Sequence, residues 1–120
     1  MNWQEAVGNQ HLRDLPFKIE LNEFGQAVMT NRKIIQSVFS GQISFLLSAM
    51  RKDGETLISC AIKTRKGTKV ADVAWASMEV INKIENETDA SVAPEICVEV
   101  LSMSNSDREV KLPPPEAVAL

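Results

Sequence analysis

Asp72 and Glu99 are the residues of this sequence whose type and setting best suit chemistry, because each is a lone charge in an apolar run. In Val70-Ala71-Asp72-Val73-Ala74-Trp75, alternation puts Val70, Asp72 and Ala74 on one strand face and Ala71, Val73 and Trp75 on the other. Glu99 shares a face with Cys97 and Leu101, while Ile96, Val98 and Val100 take the opposite one. Apolar residues on both faces mark a strand covered on both sides. A carboxylate buried there costs several kcal/mol unless it is protonated, paired or bound to a cation. Two acids on strands of one sheet could share a hard divalent cation such as Mg²⁺, completed by waters and phosphate oxygens. Equally, such acids can sit at a sheet rim in water, or pair with Lys63, Arg65 or Lys69.

Other reactive side chains offer less. His11, the only histidine, lies in a polar terminal stretch and reads as solvated. Cys60 and Cys97 sit inside apolar runs and lack the C-x-x-C spacing of a zinc or redox motif, so they read as buried free thiols. Lys63, Arg65, Lys66 and Lys69 cluster around one turn. They read either as a solvated hairpin tip or as contacts to a phosphate backbone flanking Asp72.

The elements that must position these residues are a hairpin, a long helix, a second hairpin and a late strand. Residues 2–14 form a short helix that must end before Pro16. Phe17 to Thr30 alternates as a hairpin turning at Glu23-Phe24-Gly25-Gln26. From Asn31, a plausible N-cap, Ile35, Phe39, Ile43, Leu46 and Met50 recur at helical spacing until Asp53-Gly54. Leu57 to Thr64 and Thr68 to Trp75 are β-rich runs joined by Arg65-Lys66-Gly67, a second hairpin. A short helix over Ser77 to Ile84, a polar loop to Ser91 and a strand over Glu95 to Leu101 follow. Ser102 to Ser106 offers N-cap residues for a helix through Arg108 and Glu109, which must stop at Pro113-Pro114-Pro115. The order predicts an α/β (α+β) domain over residues 1–112, a mixed β-sheet flanked by helices with an N-terminal hairpin, and an irregular Pro-rich tail over 113–120.

Thr68-Lys69-Val70-Ala71-Asp72-Val73-Ala74-Trp75, the later Ala93-Pro94-Glu95-Ile96-Cys97-Val98-Glu99-Val100-Leu101-Ser102, and Ser104-Asn105-Ser106 resemble the Uma2 family. That family groups endonucleases of the PD-(D/E)XK, restriction-endonuclease-like fold. The resemblance spans roughly residues 17 to 110 and includes the order of the first hairpin and long helix. It implies that Asp72 and Glu99 together bind Mg²⁺ or Mn²⁺, which activates a water and stabilises charge on the scissile phosphate of DNA. Ala71 stands where the family has Pro, Met103 stands between the two serines, and Gln36 lies near a common His position. The family's catalytic lysine aligns with Pro113. Lys111 is the nearest candidate, two residues early, a rotation of about 200° along a helix. The pattern ends after Val110, which implies a C-terminally shortened member with an exposed sheet edge, covered by forming a homo-oligomer.

Composition bounds these readings. At 120 residues the chain makes one domain with a thin stability margin. At 44% hydrophobic and 24% charged it is an ordinary globular chain, so a disordered body is not expected. A net charge of −3 argues against a nucleic-acid coat protein but not against a nuclease whose metal supplies the positive charge. The N-terminus shows no signal peptide and no run reaches membrane-spanning length, so a cytoplasmic setting is expected, without membrane contact. The expected function is metal-dependent DNA hydrolysis. The alternatives are an inactive shortened relative that binds a partner or itself, and an unrelated α/β binding module whose acids sit at the rim.

Overall fold

A computed structural model describes residues 1–13, 17–101 and 117–119. The chain is an α+β domain of two antiparallel sheets with helices packed against them. Two short helices come first, α1 (Trp3–Gly8) and α2 (Gln10–Arg13), where the sequence suggests one. The break falls at Asn9, whose side chain accepts from the His11 amide at 2.8 Å, an interaction that competes with helix continuation. Asn2 caps α1 in a reciprocal box with Glu5. Trp3 donates its indole N–H to Thr88 O at 3.1 Å and so ties α1 to the body.

Strands β1 (Phe17–Leu21) and β2 (Ala27–Asn31) form the expected hairpin, with Leu21 opposite Ala27. Asn22 closes its loop by accepting from the Phe24 and Gln26 amides at 3.0 and 2.9 Å. Asn31 is the last residue of β2, not the helix cap. The long helix α3 (Ile34–Met50) starts three residues later, where Gln36 accepts from the Lys33 amide at 2.8 Å. Its inward stripe runs through Gln36, Phe39, Ile43 and Leu47, whereas Ile35, Leu46 and Met50 face outward. The helix is rotated from the apolar register because the Gln36 amide turns inward to donate to Val100 O at 3.1 Å.

Strands β3 (Gly54–Thr64) and β4 (Gly67–Ser77) make the second hairpin. Next come α4 (Met78–Ile84), capped by Ser77, then β5 (Ile96–Val100) and β6 (Ala117–Ala119). The larger sheet has the order β3-β4-β5-β6. Every ladder between these strands is antiparallel, and the parallel component that a mixed sheet requires is confined to one bridge, Ile62–Ala90. β4 is buried continuously from Val70 to Ala76, as its two apolar faces imply. The cluster formed by Val80, Ile81 and Ile84 of α4 with Ile62, Ala71 and Ala74 is the main apolar core.

Residues 117–119 differ from the irregular tail read over 113–120: they pair with β5, Ala119 opposite Val98 and Ala117 opposite Val100. An open β5 edge offers unpaired amides and carbonyls, and an alternating Ala-Val-Ala run satisfies them. The helix expected through Arg108 and Glu109 lies outside the described residues. Both cysteines are free, Cys97 buried and Cys60 half-buried. Burial pushes both thiols up, and the proximity of Cys97 adds to the shift at Cys60.

Candidate active site

The site forms where β1 and the start of α3 lie over the middle of β4. Asp72 points to that side, and its side chain is 1% exposed. Its Oδ2 accepts from the Val100 amide at 2.7 Å, which draws the end of β5 against β4. Its Oδ1 accepts from the Arg32 guanidinium and lies 3.4 Å from Lys18 Nζ. The alternative reading in which Asp72 pairs with Lys63, Arg65 or Lys69 is corrected: its partners are Arg32, on the turn between β2 and α3, and Lys18 on β1. At the hairpin tip, Lys63, Arg65 and Lys66 are exposed.

Glu99 reaches the same place from β5. Its Oε1 accepts from Lys18 Nζ at 3.0 Å, and its side chain is 32% exposed. A third carboxylate belongs here that the sequence did not single out. Glu20 Oε2 lies 3.9 Å from Lys18 Nζ and accepts from the Val70 amide at 2.7 Å. That amide lies beyond the stretch of β4 paired with β5, so Glu20 takes the place of a neighbouring strand and pins β1 to β4. Lys18, Glu20, Arg32, Gln36, Asp72 and Glu99 thus line one cleft of about 310 Å³.

Of the residues lining this cleft, sequence reasoning singled out Asp72 and Glu99 and noted Gln36, but not Lys18, Glu20 or Arg32. A signal was present in β1, where Lys18 and Glu20 share a strand face while Ile19 takes the other. Such a face ordinarily reads as solvent-facing. Here it covers β4 instead. Lys111 lies outside the described residues, and His11 is exposed, away from the cleft.

The donors present suit a hard divalent cation in chemistry, since all are carboxylates directed at one cleft. The space is another matter. One oxygen of each acid lies within 4 Å of the same ammonium, so Lys18 Nζ stands at the point on which they converge. Among the described residues, no cluster of three or more His, Cys, Asp or Glu side chains is arranged to hold a metal ion. Among them, too, no helix is long and apolar enough to cross a membrane. Comparison with protein-family models, with curated proteins and with solved structures finds no match to this chain.

Proposed function

We propose that this cleft is a phosphodiester-hydrolysing site of the restriction-endonuclease kind, dependent on Mg²⁺ or Mn²⁺ and acting on DNA. The observation that carries the reading is the meeting of Asp72 from β4 and Glu99 from β5 at one point of a basic-and-acidic cleft. Asp72 and Glu99 would hold the ion. When bound, it supplies an activated water and positive charge at the scissile phosphate. Asp72 is held rigidly for this by the Val100 amide and Arg32, whereas the more exposed Glu99 can adjust. With the ion in place, Arg32 adds positive charge beside it that faces a phosphate, and Lys63, Arg65 and Lys66 at the exposed hairpin tip can contact the flanking backbone without reading sequence. The resemblance assigns Lys111 the role of the site lysine.

Glu99→Gln is the variant of choice, because a third of this side chain is in solvent and its loss leaves the core intact. Calorimetric titration of Mn²⁺ should show binding to the wild type and at least about tenfold weaker binding to Glu99→Gln. Nicking of supercoiled plasmid should fall by about 100-fold or more, the scale on which a group stabilising the transition state acts. Intact plasmid together with no heat of binding would overturn the reading.

An inactive relative that assembles with a second copy of itself has its own supporting observation. Helix α3 carries no ionisable side chain, and Ile34, Val38 and Phe45 lie on one outward stripe, 85%, 46% and 72% exposed. A neutral apolar stripe of that kind marks a protein–protein surface. On this reading, sedimentation velocity should give a dimer that Phe45→Glu converts to monomer. A wild-type monomer at high micromolar concentration would refute it.

A further inference from the structure

The Lys18 ammonium needs an explanation that neither its own strand nor the β1–β2 hairpin supplies. Its side chain is 9% exposed, and Nζ lies 3.0 Å from Glu99, 3.4 Å from Asp72 and 3.9 Å from Glu20. A salt bridge for Asp72 alone is already provided by Arg32. Resting on the reading of the cleft as a metal site, we propose that Lys18 occupies the divalent-cation position, so that ion binding and the Lys18 ion pairs exclude each other.

Formal charge supports exchange over coexistence. The three carboxylates against Lys18 and Arg32 leave one net negative charge. A dication added with both in place would leave one net positive charge, and would stand within a few ångströms of the ammonium. A dication taking the place of Lys18 leaves the cluster neutral. At such separations and partial burial, charges of one sign repel strongly, so the neutral arrangement wins. The displaced stem has somewhere to go. Lys18 also lines a neighbouring cleft of about 310 Å³, bounded by Trp3, Ala6, Phe17 and Val70. Lysine suits this duty because its ammonium is a compact point charge on a flexible stem, whereas the guanidinium of Arg32 is committed to one oxygen of Asp72. Lys18 acts here as a positioning residue: it keeps three carboxylates gathered until a cation arrives, and the cation must then compete with it.

The test compares Mn²⁺ binding by calorimetry in the wild type, Lys18→Met and Lys18→Gln, each checked for folding by circular dichroism. Both variants should bind Mn²⁺ about tenfold or more tightly than the wild type, because the competing charge is gone. In the wild type itself, Mn²⁺ should speed reductive methylation of Lys18 relative to Lys63 and Lys66, an accessibility readout independent of any variant's stability. Equal or weaker binding by the variants, with Lys18 methylation unchanged by Mn²⁺, overturns the proposal. If the wild type binds Mn²⁺ through Glu99 under that outcome, the nuclease reading survives and only the exchange fails. If the variants bind Mn²⁺ and the wild type does not, the exchange stands and the metal-dependent activity of the native chain falls. If none of the three proteins binds, both fall.

Discussion

Asp72→Ala should be strongly destabilising, lowering the unfolding free energy by about 3–5 kcal/mol. The wild-type carboxylate is buried, yet every strong interaction it makes is satisfied: Arg32 and Lys18 on one oxygen, the Val100 amide on the other. Alanine removes the acceptor and leaves a guanidinium and an ammonium facing each other without the anion between them. It also orphans a buried amide, which adds about 1–3 kcal/mol within that total. Against a whole-domain margin of about 5–15 kcal/mol, the loss is large. Urea denaturation should show the midpoint fall sharply with the slope unchanged. Asp72→Asn keeps the volume and an acceptor for the Val100 amide, so its loss should be smaller. A change under about 1 kcal/mol for Asp72→Ala would mean that the ion pairs contribute little and the acid is kept for function alone.

The strands that carry the site are legible in the sequence because their periodicity is strict. β4 is apolar on both faces from Val70 to Ala76 and buried there, and the one charge in that stretch, Asp72, lies in the candidate cleft. The first hairpin and the helix over Met78–Ile84 follow from local chemistry, the Asn22 turn and the Ser77 cap. What periodicity could not show is which side chains arrive from elsewhere. Lys18 and Glu20 look like the wet face of a strand, and become a buried lid only because β1 crosses β4 far away in sequence. The same long-range contact explains the rotation of α3. Its aliphatic spacing fits an inward stripe through Ile35 and Met50, but one polar residue, Gln36, is buried to bond Val100, and the aliphatics turn outward. Tertiary hydrogen bonding thus overrides the helical pattern, and the residue responsible is the one that lies at the site.

The joint between the first hairpin and the second is therefore the part of the fold on which the site depends most, and Gly67 is its tightest point. The residue has φ +99° and follows a turn, Arg65-Lys66, with no other positive φ. This arrangement favours glycine, since an L side chain there costs about 1–2 kcal/mol. A Cβ at position 67 would also collide with the carbonyl oxygens of Leu21 and Asn22, at the end of β1. Backbone cannot yield as a flexible side chain can, so the hairpin must move outward, at about 1–3 kcal/mol more. Gly67→Ala should accordingly destabilise the domain by about 2–5 kcal/mol. The first contact to loosen should be Glu20 with the Val70 amide, because Glu20 sits next to the displaced Leu21. Hydrogen exchange at the Val70 amide should speed up more than exchange at Val73, which is paired within the larger sheet. Gly41→Ala is the matched control: nothing lies within 4 Å of its added Cβ, and inside a helix alanine gains about 0.5–1 kcal/mol. If Gly67→Ala unfolds at the wild-type urea midpoint while Val70 stays protected, the hairpin does not rest on the β3–β4 turn, and Lys18 and Glu20 must be held over Asp72 by their ion pairs alone.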